Sequence, residues 1–173
     1  MITFYVADFN TLSQKYYNDT VSSLQIHQMT CPCCGHSGCL KKHAYYCRYV
    51  FAGKKKRRLY ILRLKCSCGH THALLPSSVI PYSHILLKDQ VLIVSSGSGD
   101  DTVSVLQLSG VDITPRTVRY IFRAFILRWR ERLASESISL DSLPELVKGC
   151  FRHFRRQFMQ NKYGYNILFL PST

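Results

Sequence analysis

Acidic residues are scarce in this 173-residue chain, and none occurs between Asp19 and Asp89. Ten acids against 23 Lys and Arg leave a formal charge of +13. An excess of that size points to a polyanionic partner, nucleic acid first and an anionic membrane surface second. The same scarcity argues against chemistry. A metal-dependent nuclease core holds Mg²⁺ with three carboxylates on a folded sheet. Here Asp8, Asp19, Asp89, Asp100, Asp101, Asp112, Glu131, Glu136, Asp141 and Glu145 read mostly as caps and helix-surface positions. No nucleophile elbow, P-loop or Ser-His-Asp order is present either. The expectation is a protein without catalysis and without a small-molecule substrate.

Long apolar runs are missing too. "VLIV" (91–94) and "AFIL" (124–127) fall far short of the roughly 20 residues that span a bilayer. The opening "MITFYVADFN" has no basic leader and soon meets Asp8, so it does not read as a secretion signal. The expected location is the cytoplasm. In that reducing compartment clustered thiols bind metal more often than they form disulfides. With 46% hydrophobic and 12% aromatic residues, the chain is folded, as one ordinary domain or two small ones.

Cysteine is what the sequence has in plenty. "CPCCGHSGC" (31–39) puts four thiols in nine residues, and "CSCGHTH" (66–72) follows. Between them "AYYCRYVF" (44–51) and "RLYILRL" (58–64) are β-prone runs joined by the basic "AGKKKR", a hairpin pattern. Two cysteine turns brought together by a hairpin make a zinc ribbon, because tetrahedral Zn²⁺ takes four soft ligands. The preferred set is Cys31, Cys34, Cys66 and Cys68. The second pair is the shorter Cys-x-Cys, so His70 or His72 could replace one thiolate, and Cys33 or Cys39 could replace Cys34. Cys33, Cys39 and Cys47 otherwise read as small, partly buried residues. A four-thiolate site has no open position, so the single Zn²⁺ per chain is expected to be structural.

The second half reads as helical. "HILLKDQVLIV" (84–94) has helical spacing, and a "SSGSG" break follows. Asp100 or Asp101 then caps a short helix that Gly110 ends. Thr114 and Pro115 open a long helix reaching about Leu133, a good cap followed by a residue suited to the first turn. Val118, Ile121, Phe122, Phe125, Trp129 and Leu133 fall on one of its faces. Arg116, Arg119, Arg123 and Arg130 fall on another, within roughly 60° of arc. Helix, turn and arginine-faced helix predict a helix-turn-helix with its second helix in the major groove. The turn runs about two residues longer than in the compact form of the motif.

A last helix is expected over 141–160. Lys148, Arg152, Arg155 and Arg156 form its basic stripe; Val147, Phe151, Phe154 and Phe158 form an apolar stripe that reads as core or as a homodimer contact. The hairpin tip Lys54, Lys55, Lys56, Arg57 and Arg58 reads as a solvated loop or a phosphate contact. The fold class is therefore α+β: a small N-terminal β zinc ribbon followed by an all-α helix-turn-helix region. The linear division is 1–30 with no motif, 31–80 ribbon, 81–135 helix-turn-helix, and 136–173 basic helix and tail. Within residues 1–30, "TFYV" reads as a strand and "TVSSLQIHQM" as a short helix.

The combination "CPxCG…YYCRY…RLYILRLKCSCGHTHALLPSSVIPYS" followed by a helix-turn-helix resembles the DNA-binding region of bacterial insertion-sequence transposases. More closely, it resembles small bacterial transposase-like proteins carrying a domain of unknown function. The resemblance covers roughly residues 28–160, and "KCSCGHTHALLP" and "IPYS" are its most specific pieces. It implies double-stranded DNA binding in a mobile-element setting, as a transposon accessory protein, a repressor or a transposase remnant. Two other classes compete with it. One is a structural RNA-binding zinc ribbon using Tyr45, Tyr46 and Tyr49 on unpaired bases. The other is a small nuclease or recombinase subunit.

Overall fold

Three residues near the start, Ile2–Phe4 (β1), form an inner strand of a five-stranded sheet, next to its edge. The other strands are β2 (Leu40–Ala52), β3 (Lys55–Cys66), β4 (Thr71–Pro76) and β5 (Leu168–Leu170), in the order β2-β3-β4-β1-β5. The computed structural model describes residues 1–52, 55–160 and 168–170. β3 and β4 are antiparallel, with Arg63 opposite Ala73 and Lys65 opposite Thr71. β1 runs parallel to both neighbours, Ile2 opposite Leu74 on one side and Leu168 on the other. All three residues of β1 are buried, as expected of a strand with parallel neighbours on both sides.

The chain is thus mixed α and β, with a five-stranded sheet and six α-helices among the described residues. It divides into two compact units along a line different from the linear one. The first gathers residues 1–48 and 58–77 together with β5; the second holds residues 49–57 and the helices from 78 onward. The opening segment and the far end therefore complete the sheet. Among the described residues, no helix is long and apolar enough to cross a membrane.

In the first unit, Gln14–Ser23 forms α1, six residues upstream of where the helix was expected at Thr20. Ser13 sets its start by accepting a hydrogen bond from the Tyr16 N–H at 3.1 Å, as a serine N-cap does. Only a 3-10 turn, Ile26–Gln28, occupies the rest of the expected helix. α1 is fastened to the sheet by Tyr17, whose buried hydroxyl accepts from the Leu62 N–H and donates to the Leu74 carbonyl, both at 2.9 Å. These groups lie one step past the Arg63–Ala73 pair, so the phenol satisfies both strands just past that pair. Burial raises the Tyr17 pKa above the usual phenol range.

The second unit holds α2 (Leu87–Ser96), α3 (Asp100–Leu108), α4 (Pro115–Arg128), α5 (Arg130–Ser135) and α6 (Leu143–Phe154). α2 packs on both α3 and α4, which pack on each other. The long helix expected from Thr114 to Leu133 is interrupted at Trp129. Trp129 is fully buried, with ring centroids 5.9 Å from Phe154 and 5.3 Å from Phe158. Seating the indole among those rings accounts for the break, where no Pro or Gly stands. α6 ends at Phe154, because Arg155 adopts the left-handed conformation that stops a helix.

Asp89, in the first turn of α2, is buried, and among the described residues its Oδ2 has no hydrogen-bond partner. Burial pushes its carboxyl up from 3.8 to about 6, against the opposing pull of Lys88. The folded chain then holds this proton more tightly than the unfolded chain does. Its contribution to stability is full below about pH 4 and is lost as pH rises through about 6. Asp89→Asn, which removes the charge and keeps the shape, should stabilise the protein by about 1–3 kcal/mol at pH 7. At pH 4 it should have little effect, as paired urea melts would show.

Candidate metal centre and nucleic-acid surface

Each cysteine turn is built by the same local hydrogen bonds, and their difference in length decides which thiols converge. In the first, the Gly35 N–H closes on the Cys31 carbonyl at 2.9 Å, and the Cys33 N–H points at the Cys31 sulfur at 3.4 Å. In the second, the Gly69 N–H closes on the Cys66 carbonyl at 3.0 Å, and the Cys68 N–H points at the Cys66 sulfur at 3.4 Å. Gly35 and Gly69 both take positive φ, 74° and 88°, which glycine adopts without strain. The second turn is one residue shorter, so Cys68 stands in the position of Cys33 and not of Cys34.

Four sulfurs, those of Cys31, Cys34, Cys39 and Cys66, all lie within 4.8 Å of one another and could hold a metal ion. Tetrahedral Zn²⁺ with bonds of about 2.3 Å sets its thiolates about 3.8 Å apart. Cys34 and Cys66 are 3.6 Å apart, and Cys66 and Cys39 are 3.1 Å apart. The quartet shares three members with the preferred set and takes Cys39 in place of Cys68. Cys39 reaches it from the residue before β2, through a turn in which Thr30 and Ser37 form an isolated bridge.

Other donors surround the quartet. Cys68 lies 4.0 Å from Cys31 and 3.6 Å from His70 Nδ1. His72 is buried on β4, its Nε2 3.4 Å from the Cys31 sulfur and its Nδ1 3.1 Å from the Met1 amine. Burial first, and then the positive Met1 amine and His70, lower the His72 pKa to about 4, so its ring is neutral at pH 7. The Cys68 N–H outweighs burial to bring the Cys66 thiol down to about 5, with help from the Cys39 thiol. Cys39, sharing its proton with Cys66, is pushed up to about 12. The lowered Cys66 pKa favours a thiolate within the cluster, and thiolates are what bind metal. Cys33 is half-buried outside the quartet, and Cys47 is exposed on β2.

The arginine face belongs to the other unit. Thr114 caps α4 by accepting from the Thr117 N–H at 3.3 Å, with Pro115 at its first position. α3 ends in a paired cap, with the Gly110 N–H on the Gln107 carbonyl and the Val111 N–H on the Leu106 carbonyl, both at 2.9 Å. Val118, Ile121, Ala124 and Phe125 are buried, which turns Arg116, Arg119 and Arg123 outward together. Tyr120 and Leu127, 60% and 69% exposed, share that face by helical spacing. The sequence reading passed over both, although the periodicity held them. Arg130 lies past the break, on α5.

The remaining basic residues are dispersed. Lys56, Arg57 and Arg58 are exposed on β3, with the Lys56 ammonium 4.6 Å from the centre of the Tyr49 ring. Lys54 and the Lys55 side chain lie outside the described residues. Arg152 is exposed in the last turn of α6, but Arg155 and Arg156 follow its end, so the expected stripe of four does not run along one helix. Of the apolar stripe, Val147 and Phe151 are buried in α6 and Phe158 is buried beyond it.

Residues 31–107 match a family described as a domain of unknown function (DUF6431), a span that takes in every cysteine and histidine of the cluster together with α2 and nearly all of α3. No curated protein and no solved structure matches the chain.

Proposed function

We propose that this chain binds double-stranded DNA sequence-specifically through α4 and uses one structural zinc to hold its sheet unit together. The observation that carries the reading is the outward row of Arg116, Arg119 and Arg123 on a capped helix that follows a short helix and turn. Helices presented this way read the major groove, and arginine paired with guanine is the commonest specific contact there. The charge of +13 adds the non-specific attraction that every duplex exerts.

Zinc is the metal that four soft, closely spaced thiols favour, and a closed four-thiolate site assigns it to folding. The thiols of Cys31, Cys34, Cys39 and Cys66 would hold it. Among the described residues the quartet is the one group of three or more Cys, His, Asp or Glu close enough to hold a metal. The setting we propose from the resemblance to the DNA-binding region of insertion-sequence transposases is a mobile element, with the chain as accessory protein, repressor or transposase remnant.

Selection from a random duplex DNA pool, with a folded RNA pool in parallel, tests the reading. The expected outcome is a consensus in the DNA pool and none in the RNA pool. Enrichment of RNA alone would replace this reading with the RNA-binding one.

A further inference from the structure

A cleft of about 410 Å³ opens in the sheet unit between α1 and the β2–β3 hairpin. It is lined by Tyr17 and Val21 of α1, both buried, by Lys42 and Tyr45 of β2, and by Tyr60 of β3. The two tyrosines are 59% and 46% exposed. Among the described residues neither ring stacks on another ring or cation. Tyr46 differs, its ring centre lying 4.9 Å from the Arg63 guanidinium.

The wall is held in place. Gln14 pairs with the Tyr60 backbone as a neighbouring strand would, accepting from its N–H at 2.7 Å and donating to its carbonyl at 3.2 Å. The same amide donates to the Asn18 side chain at 2.8 Å. No carboxylate lines the cleft; the nearest acid in sequence, Asp19, is exposed on α1. Its volume is that of a small-molecule site, enough for a base with its sugar and far too small for a duplex. Exposed aromatic rings beside a lysine, with no acid, suit a flat ring carrying a negative charge.

We propose that this cleft takes an unpaired nucleotide, the base held by both Tyr45 and Tyr60 and the phosphate by Lys42. The chain would then have a single-strand site separate from α4 and independent of how α4 is read.

Fluorescence anisotropy with labelled ten-nucleotide oligomers of thymidylate and of uridylate, on the full chain, tests this. A spacer oligomer of the same length and charge without bases serves as a third probe. Losing one stacked base should weaken binding about fivefold or more. Tyr45→Ala and Tyr60→Ala should each show that loss on the preferred oligomer, while Tyr45→Phe stays within about twofold of the parent chain. The baseless oligomer should bind the parent chain about fivefold or more weakly than the base-bearing one does, a comparison that does not depend on any variant folding. The tighter of the two base-bearing oligomers tells DNA from RNA. Arg119→Ala should leave all of these values unchanged, which separates this site from the duplex reading. Equal binding of the baseless and base-bearing oligomers, or no effect of either alanine, would overturn the proposal.

Discussion

Replacing Cys66 by serine should release the metal and unfold the sheet unit, and Cys39→Ser should do the same. Cys68→Ser should leave both metal and fold in place. Cys66 is the hub of the quartet, 3.1 Å from Cys39 and 3.6 Å from Cys34, and its thiol is held down to about 5. Structural zinc contributes on the order of 10–16 kcal/mol apparent in finger peptides, as much as the whole stability of an ordinary domain, about 5–15 kcal/mol. Losing one of four ligands therefore removes more than the sheet unit can spare. The check is zinc content by mass spectrometry on protein purified without chelator, with thermal melts of each variant. Should Cys68→Ser lose the zinc while Cys39→Ser keeps it, Cys68 would be the fourth ligand.

Arg119→Ala should weaken binding to a preferred duplex by about 1–3 kcal/mol, roughly 5- to 150-fold, the worth of one good bidentate contact to a base. On random duplex the same change should cost far less. Arg119 stands in the N-terminal half of α4, exposed beside Arg116 and Arg123, where a groove-reading helix presents its contacts. Neutralising Lys56, Arg57 and Arg58 should act differently. Those residues would meet phosphates alone, so every duplex should weaken alike. The slope of log affinity against log salt should flatten by about one unit per lost contact. Equal losses on every duplex from both sets of changes would reduce α4 to a charged surface.

What could be read from sequence depended on how local its cause was. The start of α4 was legible because Thr114 and Pro115 state it within two residues, and its buried face follows from a spacing of three and four. Its interruption at Trp129 was not, since that is set by rings of Phe154 and Phe158 some 25 to 29 positions away. Three of the four quartet cysteines followed from the paired turns. Cys39 was open only as a replacement for Cys34, because spacing alone does not show that the shorter second turn sends Cys68 to the position of Cys33. β1 read as a strand, but three residues carry no trace of their partners. Its neighbours, Leu74 and Leu168, come from distant parts of the chain. β5 is equally short and was not foreseen at all. Tyr120 and Leu127 needed only a full helical count, and reading the arginines alone left them out.

The central claim is sequence-specific binding of duplex DNA, and the ratio of two affinities measures it most directly. The intact chain, loaded with zinc, is titrated at physiological salt onto the selected duplex and onto a scrambled duplex of the same length and composition. Specific DNA-binding proteins separate such pairs by 10³ or more at that salt, about 4 kcal/mol. The account predicts a ratio of about that size, falling toward one in Arg119→Ala. A ratio near one in the intact chain would contradict it, leaving a basic protein that binds any polyanion.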